Sequence, residues 1–271
     1  MFLTKEGFRK ILIISICYFV LGSLCVLFAF YFNSMGVDAD FLMVLAVVVY
    51  LLCVIVTFWG YYAEGKFKLI NLGNKLVRNE LRPAEFIKAY EHVKNSDNLI
   101  VRKPAFEVLQ LVALAYDTLH DQEKTLATLE EMIAVAGEKK KAYINLLKAS
   151  ILFSYHQIEE AETLFRQIQK CKLDFMCNAM VDGILKGERA IAMGDYAVAE
   201  VHGLKMLQQT FPKPDNLSKL VIHEGLGEIY EKMQDTQKAV SYYRYCVNHG
   251  GETAIKQSAK SAIERLSKND V

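Results

Sequence analysis

The stretch ILIISICYFVLGSLCVLFAFYF at residues 11–32 decides the first part of the fold, because it contains no Asp, Glu, Lys, Arg or His. A second stretch, FLMVLAVVVYLLCVIVTFWGYYA at residues 41–63, is uncharged as well. A bilayer core about 30 Å thick is crossed by roughly 20 apolar residues in a helix. Both stretches reach that length, so the sequence predicts two membrane spans. Two buried core helices of a soluble protein, or a signal peptide over the first stretch, are the alternatives.

Charges that flank the two stretches predict how the chain crosses the membrane. Residues 33–40 between them carry Asp38 and Asp40, whereas positive residues lie beyond both far ends. These positive residues are Lys5, Arg9 and Lys10 before the first stretch and Lys66, Lys68, Lys75 and Arg78 after the second. Positive residues near the ends of a span stay in the cytoplasm. The sequence therefore predicts a multi-pass protein of the plasma membrane, with both termini cytoplasmic and the acidic turn outside.

Small residues recur every seven positions in both stretches. They are Ser15, Gly22 and Ala29 in the first and Ala46, Cys53 and Gly60 in the second. Small side chains let two helices approach closely in lipid. We expect them to pack the two spans against each other, and self-association through the hairpin is the alternative. Neither stretch holds the ionisable residues that mark ion or proton paths, so we expect an anchor instead of a channel or transporter.

Residues 64–271 change to mixed charge with helical periodicity, and turn signals recur along them. Clear examples are Arg82-Pro83, His120-Asp121, Gly194-Asp195 and Gln234-Asp235. Short helices joined by such turns form helical hairpins. We therefore expect a transmembrane hairpin over residues 1–63, juxtamembrane helices over 64–103 and a helical repeat domain over 104–271.

The strongest repeat copy is Leu226-Gly-Glu-Ile-Tyr230, which is followed by Ala239 and Tyr243. It resembles the tetratricopeptide repeat (TPR), which has Leu-Gly, then a Tyr, then an Ala and an aromatic residue in a second helix. His223 stands in place of that family's Trp, and Gly250-Gly251 stand in place of its closing Pro. Weaker copies contain Ala113 with Tyr116, Ala161 with Phe165, and Gly187 with residues 193–199. The second helices of these copies begin about 36–40 residues apart, against about 34 in the family.

The resemblance covers residues 104–253 and implies an α-solenoid of stacked helical hairpins with a concave binding surface. Residues 254–266 fit a closing cap helix, because their apolar side chains recur on one helical face. The expected fold class is therefore all-α: a transmembrane helical hairpin followed by a TPR-like α-solenoid with a C-terminal capping helix. A helical bundle without repeats is the alternative.

Sequence motifs for catalysis are missing, including a phosphate-binding loop and a nucleophile elbow. His223-Glu224 begins like a zinc-protease motif, but Gly227 stands where the second His must be. The Cys residues at 17, 25, 53, 171, 177 and 246 fit reduced, packed thiols instead of a disulfide framework. A formal net charge of +1 gives no electrostatic case for nucleic acid. We expect no enzyme activity, no cofactor and no metal site.

These patterns together predict a membrane-anchored adaptor or scaffold that binds a protein or peptide partner at the cytoplasmic face of the bilayer. The family implies that the first helix of each repeat lines the docking surface. Candidate protein-binding residues on those helices are Asn145, Lys148, Arg189 and His223. The alternative is an accessory subunit of a larger membrane complex for transport, secretion or envelope assembly, recruited through the hairpin.

Overall fold

Helices make up the regular structure of the part of the chain that the computed structural model describes, namely residues 5–36, 40–95, 105–170, 181–209 and 214–269, and no strand occurs there. The all-α class is therefore confirmed. The chain divides into two compact units, Met1–Leu69 and Ile70–Val271. The expected boundary between juxtamembrane helices and repeat domain, at residues 103 and 104, lies outside the described residues.

The first unit consists of α1 (Lys5–Ser34) and most of α2 (Asp40–Gly73). Within α1, Leu12–Ser34 is long and apolar enough to cross a membrane, with a mean hydropathy of 2.6. In α2 the described apolar stretch is Phe41–Ile55, which is shorter than a span. The predicted second span continues into residues 56 and 58–63, whose side chains lie outside the described part. One candidate span is thus established by length and composition, and the second stays a prediction.

Small and hydroxyl side chains join α1 to α2. The hydroxyl oxygens of Ser15 and Thr57 are 2.5 Å apart, and those of Ser23 and Tyr50 are 3.0 Å apart. A Cβ on Gly22 would lie 2.9 Å from the Tyr50 ring, so glycine is needed at this crossing. Buried or half-buried at the same interface are Ala29, Ala46 and Cys53. The seven-residue pattern therefore packs the two helices on each other, as expected from the sequence.

The second unit is a succession of short helices. In chain order they are π1 (Asn74–Asn79), α3 (Pro83–Lys94), α4 (Phe106–Thr118), α5 (Gln122–Ala136), α6 (Glu138–Ser154), α7 (Ile158–Gln169), π2 (Val181–Leu185), α8 (Lys186–Met193), α9 (Tyr196–Leu207), α10 (Asn216–Lys232), α11 (Thr236–His249) and α12 (Ala254–Asn269). Here π1 and π2 are π-helical turns. Helices α4–α5, α6–α7, α8–α9 and α10–α11 form hairpins, and π1–α3 resembles half of one.

One turn geometry recurs at every hairpin. Its left-handed residue is Leu81, His120, His156, Gly194 or Gln234, with φ between 56° and 78°. The residue after it donates its N–H back to the preceding helix, as Asp235 does to the carbonyl oxygen of Tyr230 at 2.9 Å. The second helices begin at 83, 122, 158, 196 and 236, which gives steps of 39, 36, 38 and 40 residues. The repeat spacing expected from the sequence is thus present in the backbone.

The cores of α6–α7 and α10–α11 form around the small and aromatic residues that the motif indicates. Ala161 and Ala239 are fully buried, and Phe165 and Tyr243 beside them are 6% and 5% exposed. In α12 the buried residues are Ile255, Ala259, Ala262 and Leu266, while the outer face carries charge. Cys246 is a buried free thiol, as expected, whereas Cys171 and Cys177 lie outside the described residues.

The contacts between hairpins include one between the last hairpin and the start of the second unit. Each described hairpin touches the next, and α10 also touches π1. Elements that are far apart in sequence, π1 and α10, are therefore neighbours. We call the sides of the first helices α4, α8 and α10 that carry Asp117, Glu188 and Glu224 the inner face, because the charges of these residues act on one another.

Candidate functional site

Four carboxylates from three hairpins lie on the inner face within range of one another's charge. Asp117 lies in the last turn of α4, Glu188 in the first turn of α8, and Glu224 and Glu228 one turn apart on α10. The charges of the other three all act on Glu188, which places the group within electrostatic range of one another. We call Asp117, Glu188, Glu224 and Glu228 the carboxylate cluster.

Burial and mutual repulsion hold protons on this cluster. Burial, followed by the charges of Glu228, Asp117 and Glu224, raises the pKa of Glu188 to about 8. Burial and the charges of Glu228 and Asp117 raise the pKa of Glu224 to about 7. Burial alone raises the pKa of Asp117 to about 6. Near neutral pH Glu188 and Glu224 are therefore partly protonated and cost free energy to ionise, which is typical of functional sites.

Within the described residues, the cluster has polar neighbours but no cation. Asp117, Glu188, Glu224 and Glu228 form no ion pair there. The hydroxyl of Tyr155, at the C-terminus of α6, is buried without a hydrogen-bond partner among these residues. Burial and the charges of Asp117, Asp121 and Glu224 raise the pKa of Tyr155 to about 12, so this hydroxyl keeps its proton near the cluster.

The arrangement is suited to a cationic group. Among the described residues, no three His, Cys, Asp or Glu side chains are grouped closely enough to hold a metal. A Lys or Arg side chain needs only a region of negative potential and hydrogen-bond acceptors. Carboxylates provide both, and hydrogen bonds to them are roughly twice as strong as hydrogen bonds between neutral groups.

Lys148, predicted as a binding residue, joins neighbouring helices in the structure. Its Nζ lies 3.0 Å from Glu130 of α5 and 3.5 Å from Glu160 of α7, and its side chain is only 20% exposed. These ion pairs fix α6 between its neighbours. Asn145 lies half-buried on the same helix, with no polar partner among the described residues.

Arg189 and His223 also contact adjacent helices. Arg189 donates to Glu162 of α7 and lies 5.3 Å from the centre of the Phe165 ring. His223 stacks on Tyr245 of α11 with ring centres 3.6 Å apart, and its Nδ1 donates to the carbonyl oxygen of Lys219 at 2.7 Å. Of the four predicted residues, three thus stabilise packing between helices, and their part in binding stays a prediction.

The carboxylate cluster was missed by sequence reasoning. Glu188 and Glu224 are 36 positions apart, and Asp117 precedes Glu188 by 71 positions, about twice that step. These residues do not share one repeat position, because they precede the second helices of their hairpins by 5, 8 and 12 residues. In the sequence, Glu188 and Glu224 are the immediate neighbours of the predicted residues Arg189 and His223.

Comparison of this chain with models of protein families, with curated proteins and with solved structures gives no match. Function is therefore inferred from the geometry of the chain itself.

Proposed function

We propose that the chain is a membrane-anchored, TPR-like adaptor whose inner face binds a protein or peptide segment carrying Lys or Arg. In this proposal α1 and α2 cross the bilayer as a hairpin, and the helical unit from Ile70 onwards lies in the cytoplasm. The protein binds without catalysing a reaction and needs no cofactor.

The observation that carries the proposal is the unpaired carboxylate cluster on a scaffold of recurring hairpins. Four acidic side chains held together raise the free energy of the folded protein, and a cationic partner would offset that cost. The recurring turn at Leu81, His120, His156, Gly194 and Gln234 supports a repeat scaffold, whose stacked hairpins provide an extended surface. A few anchor residues in such a groove supply most of the binding energy.

The packing of α1 on α2 supports an anchor. Ser15 bonds to Thr57 and Ser23 to Tyr50 within the helix pair. These polar groups are consequently satisfied without another membrane protein. An accessory subunit recruited through the hairpin would instead use such groups to contact its neighbours.

Photocrosslinking in intact membranes tests this function. A photoreactive phenylalanine analogue replaces Tyr155, which faces the cluster, and in a matched control replaces exposed Lys260 on α12. We expect a protein to be captured from position 155 and not from 260. Capture should be lost when Glu188→Gln and Glu224→Gln remove the charges.

Two results would contradict the adaptor. Equal capture from both positions, or capture unaffected by the paired Gln substitutions, would mean that the inner face is not the docking surface. Stoichiometric recovery of integral membrane proteins would favour the accessory subunit.

A further inference from the structure

Polar contacts close the second unit where α10 and the turn after α11 meet the segment around π1. The backbone N–H of Glu252 donates to the carbonyl oxygen of Leu81 at 2.8 Å. The side-chain amide of Asn216 donates to the carbonyl oxygen of Asn79 at 2.9 Å. Arg78 lies 2.9 Å from Asp215, which also accepts the Ser218 N–H as the N-cap of α10. We call residues 78–82 together with 215, 216, 251 and 252 the clasp.

The backbone of the clasp is shaped for this contact. Leu81 has a φ of 56°, the conformation of the recurring turn, and only 4% of it is exposed. Opposite it, Gly251 has a φ of 54°, and a Cβ there would lie 2.6 Å from the Leu81 carbonyl oxygen. Both sides of the closure thus depend on left-handed residues, one of them a glycine that permits the close approach.

Charged groups at the surface add further contacts, beside the buried side chains of Val77 in π1 and Leu217 in α10. Arg82 lies 3.6 Å from Glu252, and it also pairs with Glu80 and Glu85 on its own side. The side chains of Arg78 and Asp215 are 33% and 24% exposed. Exposed ion pairs are weaker than a packed apolar core, because water and salt screen them. The ion pairs of the clasp therefore contribute less to stability than the buried apolar contacts of the hairpins do.

Like charges oppose this closure. When α10 lies against π1, the charge of Asp117 on α4 acts on its Glu224, although two hairpins lie between them in sequence. The charges of Asp117 and Glu224 both act on Glu188 of α8. Both α10 and α4 contact π1, so separation of the clasp would move Glu224 away from Asp117 and reduce the repulsion between them.

We propose that the clasp is a latch, at which α10–α12 separate reversibly from π1 and α3 while the hairpins between them stay folded. Opening would expose the inner face along its full length and closing would cover it. The entry of a cationic segment into the open form rests on the proposed function, whereas the opening itself does not.

Hydrogen exchange of the full-length protein in lipid nanodiscs tests the latch, because locally opening segments exchange faster than the global core. The variant Arg78→Gln removes the ion pair with Asp215. The matched control Lys238→Gln removes an ion pair of similar length, 3.1 Å, within the turn before α11. We expect Arg78→Gln to speed exchange several-fold in residues 74–82, 214–220 and 250–254 together, with α6 and α7 unchanged. Lys238→Gln should leave the rate of hydrogen exchange in the clasp unchanged.

A second variant should slow hydrogen exchange in the clasp instead of speeding it. Glu224→Gln removes a charge that opposes closure, so at pH 8 it should slow exchange in the clasp while α6 and α7 stay unchanged. Uniform acceleration across the unit in Arg78→Gln, or no acceleration, would show that the clasp belongs to one cooperative core and would overturn the latch. An unaltered clasp in Glu224→Gln would overturn the role of the repulsion.

Discussion

Gly227 of α10 lies directly against the ring of Tyr243 in α11, where a Cβ would be 2.7 Å from the ring atom Cε1. The ring is held in place, because Tyr243 is 5% exposed and its hydroxyl donates to Glu231 at 3.0 Å. This contact explains the Leu-Gly of the repeat motif: the glycine sets how closely the two helices of a hairpin can approach.

Gly227→Ala should therefore destabilise the second unit. An added methyl group in a packed contact typically costs about 1–3 kcal/mol. Gly225 on the same helix is the control, since its nearest neighbour to an added Cβ, Ile191, is 3.9 Å away. Gly225→Ala should instead stabilise by about 0.5–1 kcal/mol through helix propensity. Thermal unfolding followed by circular dichroism measures both, and equal effects of the two substitutions would contradict the contact.

The carboxylate cluster predicts that stability falls as pH rises from about 5 to 8. The pKa is raised from 3.8 to about 6 for Asp117, from 4.5 to about 8 for Glu188 and from 4.5 to about 7 for Glu224. The folded protein therefore holds protons that the unfolded chain releases, and its free energy of unfolding decreases over this interval. The pKa values of Asp121, Asp215 and Asp235 are lowered, so these groups titrate below it. The lowered pKa values of His120 and His223 act in the opposite direction up to about pH 6.5, so the decline should be clearest between pH 6.5 and pH 8.

Glu188→Gln tests the origin of this pH dependence. Removal of the charge should raise the Tm at pH 8 and flatten its decline between pH 5 and pH 8, with about 2–4 °C for each kcal/mol gained. Glu264→Gln on the exposed face of α12 is the control and should leave the profile unchanged. A Tm at pH 8 that falls in Glu188→Gln would mean that the carboxylate has a stabilising partner.

Repeat spacing was predictable from the sequence because it depends on residues that are close together in the chain. Each turn needs a residue that tolerates a left-handed backbone, and Asp121, Asp195 and Asp235 each follow one and cap the next helix. The buried positions Ala161 and Ala239 follow from the same local motif.

The carboxylate cluster and the clasp were not predictable, because they depend on contacts between distant segments. No local pattern relates Leu81 to Glu252 or Asp117 to Glu224. One step along a helix also rotates a side chain by about 100°. Arg189 and His223 therefore lie on the same helices as Glu188 and Glu224 and face neighbouring helices instead of the inner face.

Lys148 should matter for stability. It lies between Glu130 and Glu160 at 3.0 and 3.5 Å, so Lys148→Glu would place three carboxylates together. We expect a loss of about 1–3 kcal/mol, the scale of a hydrogen bond to a charged group. Lys260→Glu on exposed α12 should change little. Chemical denaturation compares the two variants, and a Lys148→Glu variant as stable as the parent would show that its ion pairs contribute nothing.

The proposed orientation in the membrane is tested by cysteine labelling in a chain whose native Cys are replaced. Lys and Arg flank the far ends of both apolar stretches, and the turn between them is acidic, so only the turn should reach the outside. Ser34→Cys should therefore react with an impermeant maleimide in whole cells, whereas Ser267→Cys should react only after permeabilisation. The second condition is the control, because it proves that position 267, which is exposed in α12, is reactive. Labelling of position 267 in intact cells would place the helical unit outside and would contradict the proposal of a cytoplasmic adaptor. Failure of position 34 to label while 267 labels after permeabilisation would mean that the turn stays inside and that α1 and α2 do not both cross the bilayer.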